Sequence, residues 1–429
     1  MHLPGLIVFA ATYALISARR VPWLGLDRSA AAVVGAVAAV LVGALSPAEA
    51  LGAVDGATLL LLFSVMGIGA FVARDDLFGA LEARWLDEAR SPLALLGSVV
   101  WLAGAGSALV TNDAVCVLAA PLVVRLVRRR NLPPAPYLLA LATGSNTGSV
   151  ATLIGNPQNM LCGVLGGLEF REHLALLGPV AVVGLALNHA VLWFAFRNEL
   201  RGTEGRAQSP DRPTASPAEP DLRSAGEASP LPLSRKPRSW LTLGVLGATV
   251  VAYALGGHLA WTAATGFAAL LLFERQPSRE LWTRIDWALL AFFAGLFVVV
   301  EAFTRSGVPE RLFSAFPLWD TTATAAANWA RLSTAFLVGS NLVSNVPFVL
   351  VVREHLAAVP DTRLAWELLA MASTFAGNLT LLGSVANIIV AEAGRDVGGL
   401  GFFQYLKVGA PIALLTTAFG TAWLVALAA

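Results

Sequence analysis

Four clusters of neutral amides and hydroxyls interrupt an otherwise apolar chain of 429 residues. The first ends in Thr111-Asn112-Asp113, and the third, Ser340-Asn-Leu-Val-Ser344-Asn345, has the same spacing. The second runs Gly144-Ser145-Asn146-Thr147-Gly-Ser149, then Thr152 and Gly155-Asn156-Pro-Gln-Asn159. The fourth is Gly377-Asn378-Leu-Thr380 followed by Gly383-Ser384-Val-Ala-Asn387. Such side chains supply oxygens and amides to a small ion or polar solute without burying net charge. Gly and Pro weaken helix continuity. An unwound helix frees N–H groups at one half-helix start, which favour an anion, and C=O groups at the other half's end, which suit Na⁺. Asp113 adds an ionisable group, which at membrane depth is costly and usually functional. It is expected to carry H⁺ or exchange it for Na⁺, or else to cap the helix that follows.

The elements that must hold these clusters are membrane helices. Hydrophobic residues make up 56% of the chain and charged ones 13%, about half the ~25% of a soluble domain. A spanning helix needs about 20 apolar residues, and the sequence offers ten candidates: 3–18, 29–46, 57–74, 135–165, 172–196, 240–256, 258–273, 284–303, 363–390 and 403–428. Segments 91–130 and 321–358 are too long for one span and too short for two, with a polar knot at the centre of each. Bare backbone at that depth survives only inside protein or around a cavity, so both are predicted to be re-entrant hairpins. With that topology one side keeps only Arg171, Arg305, Arg311, Arg331, Arg353 and Arg363 of the 29 Lys and Arg residues. The other side is therefore cytoplasmic, both termini face out, and the chain belongs in a cell inner membrane. Residues 1–196 form a first membrane repeat, 197–239 a flexible cytoplasmic linker rich in Pro and Ser, and 240–429 a second repeat. Segment 75–90 is expected to lie along the membrane surface. Cys116 and Cys162, the only cysteines, read as small side chains facing the membrane.

The halves match each other. Ser107 to Asn112 aligns with Ser340 to Asn345, and Thr152 to Asn159 with Thr380 to Asn387. Each half has an odd number of spans, so the second copy must be inverted, a pattern that marks secondary transporters with a midplane site. The fold class expected is all-α polytopic, two inverted repeats of five spans, each with a re-entrant hairpin and a broken helix. The strings LVTNDAVCVLAAPLV, GSVATLIGNPQNML, SNLVSNVP and GNLTLLGSVAN resemble the ion transporter superfamily, most closely its arsenite/antimonite-permease-like anion permeases. That group also holds citrate and dicarboxylate/sodium symporters and a sodium/proton antiporter branch. The resemblance implies an elevator-like carrier with substrate between the hairpin tips. It implies ion sites at Thr111, Asn112 and Asn146 and at Ser344, Asn345 and Asn378, with Na⁺ or H⁺ as coupling ion and no other cofactor. The tip and break sequences depart from the dicarboxylate pattern, and no Lys or Arg sits near either tip. A small, weakly charged or neutral substrate is therefore favoured over a dianion.

The expected partners are a small inorganic or organic anion and the lipid bilayer, with a homodimer open and no nucleic acid. No His-Glu-x-x-His run, Cys/His cluster or Gly-rich phosphate loop is present, so catalysis is not expected. Asn188-His189 reads as helix–helix glue.

Overall fold

The computed structural model describes residues 3–17, 26–75, 91–207, 239–274 and 278–428. The surface segment expected at 75–90 lies, apart from Asp75, outside the described residues. The first half contains α1 (Leu3–Ser17), α2 (Arg28–Leu41), α3 (Pro47–Ala53), α4 (Gly56–Arg74), α5 (Pro92–Leu109), α6 (Asn112–Arg129), α7 (Pro134–Ser149), α8 (Pro157–Leu165) and α9 (Phe170–Ala207). The second half contains α10 (Ser239–Ala254), α11 (Leu259–Glu274), α12 (Ser278–Trp282), α13 (Trp287–Thr304), α14 (Val308–Ala315), α15 (Ala325–Val343), α16 (Asn345–Val352), a 3₁₀ turn (Arg353–Ala358), α17 (Thr362–Ala376), α18 (Val385–Ala393) and α19 (Phe402–Ala428). The described chain is all-α, and five of its helices are long and apolar enough to cross a membrane. Large apolar side chains stand on the outside, Leu41, Leu255 and Phe403 among them, as a lipid-facing surface requires.

The two breaks fall where Gly and Asn interrupt the apolar runs. α7 stops at Ser149, and α8 restarts at Pro157, a residue suited to a first helical turn, with Asn156 as N-cap. The second break separates α17 from α18, with Ser384 as the boundary residue. Glycine is required at both turns by close approach: a Cβ on Gly155 would lie 2.1 Å from the Ser149 carbonyl oxygen, and one on Gly383 2.8 Å from that of Ala376.

The hairpins differ from each other. α5 and α6 are 18 residues each, about 27 Å long, and their turn at Val110 and Thr111 is buried within the protein. The second hairpin pairs a 19-residue α15 with an α16 of 8 residues that tightens into the 3₁₀ turn. The packing is crossed: α6 lies on α18 of the other half, and α16 lies on α8. Around this core α1, α2 and α13 pack together, as do α4, α10 and α11.

Three expectations need correction. α9 continues to Ala207, past the boundary expected at 197, because Arg197 to Ala207 holds no Pro to stop the helix. The span 29–46 is only 14 residues of helix, because Gly43 adopts φ +72 and Ser46 caps α3 through a capping box with Glu49. Cys116 and Cys162 are fully buried in protein; small side chains here serve helix packing and do not meet lipid.

Candidate functional site

The first tip is built by its own side chains. Thr111 Oγ1 accepts from the Ala114 N–H at 3.2 Å, so Thr111 caps α6. That removes the capping role from Asp113, whose carboxylate instead faces the Ala386 amide in the first turn of α18. Asn112 joins tip to break twice: its backbone N–H donates to Gly155 O at 2.9 Å, and its Nδ2 donates to Asn146 Oδ1 at 2.9 Å.

The breaks are related residue by residue. Asn159 Nδ2 donates to the carbonyls of Ser149 and Thr152 at 3.2 and 3.1 Å. Asn387 Nδ2 does the same to Gly377 and Thr380 at 2.7 and 3.2 Å. Each Asn thus ties its own break shut across the unwound turn. Their side-chain oxygens look across the halves: Asn159 Oδ1 accepts from Thr374 Oγ1 at 2.9 Å, and Asn387 Oδ1 accepts from Asn146 Nδ2 at 2.9 Å. Asn156 Nδ2 donates to Thr374 Oγ1 at 3.1 Å, and Ser384 Oγ to Asn146 Oδ1 at 3.1 Å. Position 146 plays in one half what 374 plays in the other, and reciprocity of this kind defines a local twofold axis. The tips follow it: Thr152 Oγ1 bonds Ala108 O at 2.8 Å, while Thr380 Oγ1 reaches Asn341 Oδ1 at 3.4 Å.

A cavity of about 720 Å³ opens between the tips. Asn112, Asp113, Ser344, Asn345, Gly383 and Ser384 line it, together with Pro157 and Gln158. Ser145, Asn146, Thr147, Thr152, Gly155, Asn156, Asn159, Asn378, Thr380 and Asn387 do not. These ten form or surround the lattice behind the cavity; Ser145 turns to Cys116 Sγ at 3.1 Å, and Asn378 donates to Thr147 Oγ1 at 2.9 Å. Asn188, bonded to Thr143 and Thr147, joins α9 to α7 as the helix–helix reading requires.

Two features mark the cavity wall as more than packing. Ser344 adopts φ +70 and ψ 148, a region that costs a non-Gly residue about 1–3 kcal/mol and clusters at ligand clamps. Asn345 is 8% exposed, and its Oδ1 has no hydrogen-bond partner. Neutral oxygens of this kind fit a hard cation or a polar solute. At the first cation set implied by the resemblance, Asn146 Oδ1 already accepts from Asn112 and Ser384, so an ion there would compete with both.

Sequence reasoning missed Gln158, whose amide stands in the cavity wall inside a motif noted for its neighbours. It also left Asp286 out of the site. Asp286 caps α13, accepting from the Leu289 N–H at 2.9 Å, and it lines the cavity with Arg28 and Glu392.

The profile of the citrate transporter family matches residues 13–376. The chain belongs to that family. A silicon efflux transporter of Oryza sativa subsp. japonica is 32% identical over 97% of this chain and 96% of its own length. A transporter designated arsB in Dictyostelium discoideum is 26% identical, covering 92% of this chain and 87% of its own. The solved YdaH transporter of Alcanivorax borkumensis superposes with a TM-score of 0.55 at 15% identity, over 98% of this chain and 96% of that one, a likeness of fold. The protein is thus a multi-pass member of a transporter family, with the two-repeat helical fold expected from its sequence.

Proposed function

We propose that the protein is a secondary active transporter for a small, weakly ionised hydroxy acid or metalloid oxyanion, arsenite-like or silicic-acid-like, coupled to H⁺ or Na⁺. One observation carries this reading: both inverted tips place a neutral amide, Asn112 and Asn345, in the wall of one cavity. Gln158, Ser344 and Ser384 add further neutral donors and acceptors. The charged groups in that wall are Asp113, Asp286, Glu392 and a single Arg28. Like charges about 4 Å apart repel by ~1 kcal/mol in water and ~4 kcal/mol at an effective dielectric of 20. A citrate trianion would meet that repulsion several times over, whereas an undissociated hydroxy acid would not. The names of the silicon efflux and arsB relatives point the same way.

In this reading the hairpins are re-entrant and carry the substrate in an elevator-like movement. Thr111, Asn112 and Asn146, and Ser344, Asn345 and Asn378, supply the coupling-ion ligands. In the same reading the cavity wall at Arg28, Asp286 and Glu392 faces the cytoplasm together with the linker, the termini lie outside, and the cavity opens inward across an inner membrane. Asp113 in the wall favours one second reading, a sodium/proton antiporter.

The test is transport by purified protein in lipid vesicles with arsenite, silicic acid, phosphate, citrate and Na⁺ in parallel. Saturable counterflow of arsenite or silicic acid is expected. Sodium-driven proton movement with no solute present would replace this reading with the second, and citrate uptake with no arsenite or silicic acid counterflow would overturn it.

A further inference from the structure

Behind the first break lies a pair of ionisable side chains that none of the site residues explains. His173, near the start of α9, and Glu367, in the middle turns of α17, are 0% and 1% exposed. His173 Nδ1 is 2.6 Å from Glu367 Oε2, and Nε2 is 3.1 Å from the carbonyl oxygen of Val150. Val150 closes the C-terminal end of α7, where the unwound turn begins. The contact therefore joins both halves of the chain through the backbone of the break itself.

Proton counting decides what this geometry means. A carbonyl oxygen only accepts, so Nε2 carries a hydrogen. The short Nδ1 to Oε2 contact then needs a second hydrogen, held either by the ring or by the carboxyl group. A neutral imidazole beside a carboxylate has one N–H for two acceptors and can satisfy Glu367 or Val150, not both. Both contacts are made together only with one further exchangeable proton. Glu367 Oε1 is buried with no partner, so the carboxyl group has an unfilled acceptor, as expected of a group that changes state.

The charged neighbours named here pair elsewhere. Besides His173, Cys162 on α8 faces Glu367, and Glu172, next to His173, pairs with Arg363, one turn before Glu367. Arg353 in the 3₁₀ turn pairs with Glu301 and Glu354, and Arg331 on α15 with Asp320. Among the described residues the other half has no such device. The carbonyl of Asn378, the repeat equivalent of Val150, is packed against Gly409, where a Cβ would come within 2.3 Å of it.

We propose that His173 and Glu367 form a proton-binding site that holds the first break closed, and that release of its proton frees the Val150 carbonyl and loosens the backbone behind the cavity. Both residues act as positioning residues, since they reach the cavity only through the break. This deepens the proton-coupled form of the proposed function and rests on it for its physiological meaning, though not for its test.

Glu367→Gln separates the alternatives. The amide donates to Nδ1 while Nε2–H still reaches Val150, so both contacts persist with no proton to lose. Hydrogen–deuterium exchange of the segment 149–157 would be followed against pH in purified wild-type, Glu367→Gln and His173→Ala proteins. In the wild type, protection of the segment should be lost as pH rises, beyond the intrinsic base-catalysed increase. In Glu367→Gln it should follow the intrinsic increase alone, and in His173→Ala the segment should be unprotected throughout. Identical pH behaviour of wild type and Glu367→Gln, or full protection in His173→Ala, would overturn the site. In vesicles, Glu367→Gln should keep arsenite counterflow and lose uptake driven by a pH gradient; retention of both would overturn the link to coupling. If wild type moves neither arsenite nor silicic acid, the transport reading fails while the exchange result still decides the proton site.

Discussion

At the scale of single residues, the amide side chains divide into those that can meet a solute and those that hold the wall. Asn345 donates one long bond, 3.4 Å to Gly383 O, so Asn345→Ala should leave a folded protein in the membrane while abolishing transport, as read by counterflow and by elution as a single species. Asn112→Ala should also abolish transport with the fold retained. Asn146 is different: Asn112, Ser384, Asn378 and Asn387 all bond to it. Buried groups left without partners cost about 1–3 kcal/mol each, so Asn146→Ala should lower the melting temperature well below that of Asn345→Ala. Ser344→Gly should act in the opposite direction, raising stability by about 1 kcal/mol as the φ +70 strain is relieved, with weaker transport if that strain poises the tip. The polar clusters were legible from residue type alone, because Asn and Thr in apolar runs stand out. Their division into wall and lattice was not, since amides one helical step apart look alike until the helix faces are known. His173 was hidden by its neighbours: in Arg171-Glu172-His173 it reads as part of a charged span end. Glu367 was the available signal, a carboxylate four residues inside an apolar span.

At the scale of elements, the hairpin and the broken helix work as one unit because their backbones touch. A Cβ on Gly148 would lie 2.2 Å from both Cα and O of Gly104, which brings α5 against α7 with no side chain between them. Backbone cannot yield as a side chain can, so Gly148→Ala should displace the first hairpin, lowering both melting temperature and transport. Gly178→Ala, where the nearest atom is Leu174 Cδ1 at 3.5 Å, should be neutral or slightly stabilising by the ordinary helix preference for Ala. At the start of α3, the Ser46 backbone and hydroxyl, with Arg305 beside them, hold the Glu49 carboxyl down to about 2. A depressed carboxylate stabilises above its unfolded value and ceases to do so as pH falls towards 2. Glu49→Gln should therefore remove the acid-side loss of order at α3, seen by exchange of residues 46–53. The spans and breaks were readable because apolar run length and Gly-Asn punctuation are local properties. Hairpin asymmetry was not readable: α16 stops after eight residues for reasons of packing against α8 and α17, which no window of sequence contains.

At the scale of the molecule, the cavity gives a test of orientation. Val385 is exposed in its wall, and both native cysteines are buried. In Val385→Cys, a membrane-impermeant maleimide should label from the face carrying the 208–238 segment and not from the opposite face; the reverse pattern would invert the proposed topology. The crossed bonding between the halves also has a consequence for biogenesis. Asn159 takes its last hydrogen from Thr374, and Asn146 gives its own to Asn387. During synthesis the first repeat must therefore sit in the bilayer with open valences until the chain has grown past residue 387. Over that interval it is an unfinished membrane protein, dependent on water, lipid headgroups or an insertion chaperone for temporary partners. A gene cut between the repeats should yield two fragments that are degraded when made alone and rescued when made together.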